Sequence, residues 1–248
     1  RTKCRGIPVR RDITVIIAII PARGGSKRIK HKNIREFVGK PLISYSITAA
    51  QHTAIFDDII VSTDSDDIAD VARDYGATCI IKRSAALSDD YTGTTPVVRD
   101  AIEQYEKLTN NVVTYVCCVY ATAPFLSHDA LLTGYHRLTQ TQSAKFAFSV
   151  TSFAFPIQRA IKIVGEGVEP VSPENMGARS QDLDECYHDA GQFYWGTKRA
   201  WLDQAGMFKA HSCPVVIPRY LVQDIDTHED WIRAELMYRA YIKDNEND

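Results

Sequence analysis

Between Ile20 and Ile34 the chain reads PARGGSKRIKHKN. Two adjacent glycines, Gly24 and Gly25, stand among the cations Arg23, Lys27, Arg28, Lys30 and Lys32. Glycine lets backbone N–H groups come close to an anion, and such groups combined with Lys and Arg suit a polyphosphate. Two common phosphate loops do not match. GxxxxGK[ST] fails because Gly39-Lys40 is followed by Pro41 and the earlier glycine position holds Ile34, and GxGxxG fails because Ser26 follows the glycine pair. An anion-binding loop of another type is the reading, while a solvated basic face stays open for Arg28 and Lys30. A second chemical grouping lies late, in QDIDTHED. Asp224 and Asp226, at i and i+2 on an extended segment, turn both carboxylates to one side, and hard carboxylate oxygens suit Mg2+. Read from the residues alone, the same stretch is more simply the start of a closing helix, with Thr227 or Asp226 as N-cap. Asp64, in VSTDS, is either a turn residue or a weaker metal contact.

The elements that must position these groups alternate. ITVIIAII (13–20) is a continuous apolar, β-branched run, expected of a parallel strand buried on both faces. Further strands are expected over 57–65, 78–83 and 112–121. Helices are expected over 41–53, 65–77 and 95–108, the second with Ser65 as N-cap and Gly76 as its stop. This series predicts an α/β fold, a mostly parallel, doubly wound sheet flanked by helices. In such a sheet ligands bind beyond the carboxyl ends of the strands, where the glycine loop lies. After residue 145 the texture changes. KFAFSVTSFAF (145–155) is aromatic and alternating, the stretch 165–185 is rich in Gly, Pro and charge, and 214–242 reads as a strand, an acidic turn and a closing helix. Residues 1–11 read as a loosely ordered extension. Residues 12–248 read as one domain, with an excursion over 150–195 that serves as a lid or dimer arm.

The chain has 248 residues, 45% of them hydrophobic, enough for one sizeable core. A net charge of −2 argues against a general nucleic-acid binder. No apolar run approaches the ~20 residues that span a bilayer, and no signal-type apolar segment follows the basic opening. The six cysteines form no CxxC pair and no zinc-type spacing with histidine, so they read as thiols of a reducing cytoplasm. There is no GxSxG elbow for a Ser-His-Asp hydrolase. His188 and Asp189, adjacent on a strand, would point to opposite faces and form no dyad.

The order PARGGSKRIKHKNI…VGKPLISYSI resembles the signature of nucleotide-sugar pyrophosphorylases. It is most similar to the cytidylyltransferases that activate nine-carbon, sialic-acid-like sugars with CTP on a Rossmann-like fold. VSTDSDDIADVARDYGA (61–77), RSAALSDDYTGTTPVV (83–98), YATAPFL (120–126) and QDIDTHEDW (223–231) follow in the family's order. Ser84 replaces a proline of the third motif, and Tyr120 stands where the sialic acid enzymes carry a glutamine. The stretch 179–197 resembles the branch that uses pseudaminic acid.

The resemblance implies transfer of CMP from CTP to a sugar acid, with release of pyrophosphate. It implies CTP contacts from Ala22, Arg23, Gly24, Gly25, Ser26, Lys27, Lys32, Asn33, Arg83, Thr94 and Tyr120, although Thr94 reads equally as the N-cap of helix 95–108. Arg23, Lys27 and Asp226 carry the catalytic roles, and Asp224 and Asp226 hold Mg2+. Arg159 and Arg179 are candidates for the sugar's carboxylate. Gln181, Tyr187, His188, Asp189, Gln192 and Phe193 form the sugar-facing wall, with one of His188 and Asp189 touching a sugar substituent and the other structural. A homodimer in the cytoplasm is implied, with neither nucleic acid nor membrane as partner. Other nine-carbon acids, such as N-acetylneuraminic or legionaminic acid, are the alternative substrates. A nucleotide-sugar-dependent glycosyltransferase is the alternative of another class, but it would leave the glycine loop without a role.

Overall fold

The computed structural model describes residues 14–245, and the extension expected over 1–11 lies outside them. Seven strands form one sheet: β1 (Val15–Pro21), β2 (Asp58–Thr63), β3 (Cys79–Lys82), β4 (Val113–Val119), β5 (Phe146–Ser152), β6 (Tyr187–Thr197) and β7 (Ser212–Val216). Their order is β7-β5-β6-β4-β1-β2-β3. The pairs β1–β2, β1–β4, β2–β3 and β5–β7 are parallel; β6 runs antiparallel to both β4 and β5. The sheet is therefore mostly parallel, with one reversed strand near its middle.

The helices are α1 (Leu42–Thr53), α2 (Asp66–Asp74), α3 (Thr94–Thr109), α4 (His128–Gln140), α5 (Lys198–Leu202) and α6 (His228–Asn245). The alternation in β1 divides the core. Ile16, Ala18 and Ile20 pack with residues of α1, α2 and α4, while Val15, Ile17 and Ile19 pack with α3 and α5. Both faces are covered, which is why β1 reads as an unbroken apolar run. Ser65 caps α2 by accepting from Ile68 N, and Gly76 takes φ +94° just past its end, as the sequence predicts.

Since only β6 is reversed, β1, β2, β3, β4, β5 and β7 all end at one edge of the sheet. A third cluster, Ile29, Phe37, Leu42, Ile225, Trp231 and Ala234, fastens α6 to the loop after β1 at that edge. It brings residues near 226 beside residues near 28.

The excursion expected over 150–195 begins and ends inside the main sheet, because 150–152 belong to β5 and 187–195 to β6. What leaves the sheet is 153–186. It carries an exposed antiparallel ribbon that pairs Ile161–Val164 with Gly167–Pro170. The aromatic, alternating stretch 145–155 contains β5, six of whose seven residues are buried.

Candidate active site

The loop after β1 is anchored at three points. Gly24 N donates to Asp64 Oδ1 at 2.8 Å, the buried Asn33 donates from Nδ2 to Arg23 O at 3.0 Å, and Ile29 enters the third cluster. A Cβ at Gly24 would meet Ser65 Cβ at 3.1 Å, so the close approach of loop and helix start favours glycine there. Asp64 thus serves the loop's backbone and is absent from the cavity wall; its reading as a metal contact finds no support in this geometry.

Beyond the strand ends lies a cavity of about 600 Å³. Its walls carry Arg23, Ser26, Lys27, Lys32, Asn33, Arg83, Thr94, Tyr120 and Asp226 from the predicted set. Ala22 is buried beneath it, and Gly24 and Gly25 face a neighbouring depression shared with Arg23, Ser26 and Lys27. Arg28, left open between site and solvent, lines the cavity; Lys30 lines only the depression.

Five cations therefore face one space: Arg23, Lys27, Arg28, Lys32 and Arg83. Arg83 is buried, held by Nη2 donating to Ser62 O at 2.7 Å, and burial pushes its guanidinium below its ordinary value. Two aspartates share the other four. Asp90 pairs with Arg23 at 2.6 Å and also with Lys27. Asp226 pairs with Arg28 at 2.7 Å and with Lys32 at 3.2 Å. Such an array suits an anion with several phosphoryl groups.

Two ambiguities of the sequence close here. Thr94 is the first residue of α3 and Gly93 its N-cap, so the Thr94 hydroxyl is left to pair with Tyr120 OH at 3.1 Å inside the cavity. Thr227, not Asp226, caps α6: Asp230 N donates to Thr227 Oγ1 at 3.2 Å, and Thr227 N donates to Asp230 Oδ2 at 2.8 Å. Asp226 is thereby free to face the cavity. Asp224 does not line it. Burial, with Asp226 nearby as the lesser cause, raises its carboxyl above the usual range. Among the described residues no three His, Cys, Asp or Glu side chains cluster as a metal cage.

None of the predicted sugar residues lines this cavity. Phe193 is fully buried in the core and must be withdrawn from the wall. Gln192 is also buried; its amide donates to Leu221 O at 2.7 Å, and it borders a separate cavity of about 390 Å³ between α4 and β7. Asp189 is the structural member of the His188–Asp189 pair. Its carboxylate accepts from Gly191 N at 2.9 Å and Tyr194 OH at 2.5 Å, stapling the irregularity where β6 slips against β5. His188 lies against Phe153, its ring 4.8 Å away, and the two neighbours form no carboxylate–imidazole dyad. Tyr187 pairs with Glu185, Arg179 with Asp182, and Arg159 donates to Ser180 Oγ at 3.4 Å. Arg159, Arg179, Gln181, Tyr187 and His188 are all exposed. Pro21, Asp90, Tyr91, Thr92, Gly93, Val97, Ala121 and Thr122 complete the cavity wall. The stretch SDDYTG shows only turn chemistry, and nothing in it distinguishes Asp90 from a solvated loop acid.

Comparison with known proteins agrees with this geometry. A pseudaminic acid cytidylyltransferase of Campylobacter jejuni is 48% identical over 90% of this chain and 96% of its own length. A CMP-N,N'-diacetyllegionaminic acid synthase of the same species is 31% identical over 90% of this chain and 94% of its own. The solved structure of a CMP:2-keto-3-deoxy-manno-octonic acid synthetase in complex with CTP shares the fold, with a TM-score of 0.68, covering 92% of this chain and all of that one at 13% identity. The model of the family described as Cytidylyltransferase matches residues 17–202, and the chain belongs to that family.

Proposed function

We propose that this chain transfers CMP from CTP to the anomeric hydroxyl of pseudaminic acid, releasing pyrophosphate. The observation that carries the reading is the array of five cations around the 600 Å³ cavity, with Asp226 on its lip. The sugar assignment is supported by the 48% identical relative and by the likeness of 179–197 to that branch.

Phosphoryl transfer needs positioning and charge stabilisation more than covalent help. Arg23, Lys27, Lys32 and Arg83 would hold the triphosphate and spread the charge that builds on it. Ser26 and Asn33, on the same wall, would border these phosphates, and Thr94 and Tyr120 would meet the base or ribose. Of the two acidic candidates only Asp226 lines the cavity, and one carboxylate with phosphates and water suits Mg2+, which takes one or two carboxylates. When bound, Mg2+ would neutralise phosphate charge. Within this chain, Asp226 would hold the metal, and Arg28 and Lys32, which pair with it, would face the phosphates beside it.

The sugar's carboxylate would meet Arg179 or Arg159. Both lie outside the cavity, so the reading includes a homodimer in which the arm 153–186 reaches a second copy's site. The exposed apolar side chains Phe155, Ile163 and Val168 support that role. A cytoplasmic enzyme supplying an activated sugar for a bacterial surface glycan or flagellin completes the proposal. Among the described residues no helix is long and apolar enough to cross a membrane.

The test is pyrophosphate release with Mg2+ and CTP, offering pseudaminic acid and N-acetylneuraminic acid in parallel. Release with pseudaminic acid alone is expected. Release with N-acetylneuraminic acid alone would overturn the sugar assignment, and release with neither would overturn the transfer itself.

A further inference from the structure

Asp90 takes no part in the reaction as read above, yet it engages two cations of the cavity. The loop that presents it is built for the purpose. Asp89 Oδ1 accepts from Tyr91 N at 3.0 Å and from Thr92 N at 2.6 Å, closing a turn with Asp90 inside it. Arg23 Nη1 then donates both to Asp90 Oδ1 at 2.6 Å and to Asp89 O at 2.8 Å. Lys27 reaches the other carboxylate oxygen of Asp90. Arg23 and Asp90 are 67 residues apart in sequence, so the contact joins two separate strand-end loops across the cavity mouth. Arg28 and Lys32 are matched in the same way by Asp226, whose carboxylate has a use in metal binding; that of Asp90 has none.

We infer that Asp90 is an internal counter-ion that occupies the place of a phosphate, keeps Arg23 and Lys27 gathered while the cavity is empty, and competes with pyrophosphate for them, promoting its release. This rests on the nucleotide reading of the cavity. The carboxylate and a phosphoryl oxygen seek the same donors and carry like charge, so each weakens the hold on the other. An anion that uses Arg23 and Lys27 therefore competes with Asp90, whereas an uncharged nucleoside does not.

The measurement is calorimetric binding of inorganic pyrophosphate, CTP and cytidine to the whole protein, compared with Asp90→Asn and Asp90→Glu. Two exposed ion pairs predict that Asp90→Asn binds pyrophosphate about five-fold more tightly. CTP should gain similarly, cytidine should not change, and Asp90→Glu should stay near the parent. Asp90→Ser repeats the test if the Asn variant folds poorly. Unchanged or weaker pyrophosphate binding by the neutral variants would overturn the inference while leaving the nucleotide reading intact. A parent protein that binds neither CTP nor pyrophosphate would overturn both.

Discussion

The cationic cavity and the arm 153–186 hold their charged groups in opposite ways. In the cavity the partners are distant in sequence: Arg23 meets Asp90 across 67 residues and Lys32 meets Asp226 across 194. The arm's ion pairs are close: Arg179 meets Asp182 at i,i+3, and Lys162 meets Glu169 across its ribbon. Contacts of long range exist only when the sheet and α6 are assembled, so the cavity is a product of the whole fold. Contacts of short range survive any displacement of the arm as a unit. The half read as meeting the nucleotide is thus built in advance, and the half read as meeting the sugar keeps these ion pairs within itself.

The comparison is broken most directly at Asp226, where two loop cations and the acidic segment meet. Asp226→Ala should lower kcat by about a thousand-fold, the scale of losing a charge-stabilising group, with an unchanged far-UV spectrum and Tm. A variant that keeps near-normal turnover at limiting Mg2+ would remove Asp226 from the metal site. The next effect concerns Phe193 of β6, which the sequence assigns to the sugar side and the fold assigns to the core. Phe193 is fully buried against α4, and a Cβ at Gly134 would meet its Cε2 at 2.7 Å. Phe193→Ala should cost about 3 kcal/mol of stability in denaturant unfolding and leave the sugar KM alone. A raised sugar KM at undiminished stability would return Phe193 to the wall.

That misassignment marks where the sequence stops being legible. The apolar run of β1 and the capped pattern of α2 each carry one physical meaning, and both were readable. Of the loop cations, Arg23, Lys27 and Lys32 line the cavity as the sequence reading expects, whereas Arg28 and Lys30, left open, divide between the cavity and the neighbouring depression. In β6 an aromatic run can face a ligand or a core, and only its place between β4 and β5 decides. Thr94 and Asp226 each carried two readings, cap or site. Neighbouring Gly93 and Thr227 took the caps, a choice made by backbone geometry that no single-residue preference reveals. Asp90 was illegible because its partners are supplied by another loop.

On the arm, Arg179→Ala should raise the sugar KM about ten-fold, the weight of one charge-assisted pair, and leave the CTP KM unmoved. Arg179 is held by Asp182 through two hydrogen bonds, of 2.6 and 3.0 Å. Asp182→Asn should therefore lower the sugar KM slightly by releasing it. Equal effects of Arg179→Ala on both substrates would erase the division between the two halves.

The smallest effect compares two aspartates of similar local pattern. Asp230 accepts from Thr227 and Asp226 at the start of α6, while Asp182 accepts from Arg179 on the arm. Hydrogen bonds from the Thr227 side chain, and then its backbone, hold the Asp230 carboxyl below its ordinary value of 3.8. A depressed folded-state pKa contributes stability that is present above the unfolded value and is lost as pH falls through the folded one. Asp230→Ala should therefore lower Tm by about 2 °C at pH 7, and the gap from the parent should close below about pH 4. Asp182→Ala should move Tm by less than about 0.5 °C at any pH, because an exposed pair within the arm contributes little to the global transition. Equal shifts would mean that the arm unfolds with the core and is no separate unit. A gap at Asp230 that widens on acidification would mean that the neutral carboxyl, not the carboxylate, holds the start of α6 and with it the backbone of Asp226.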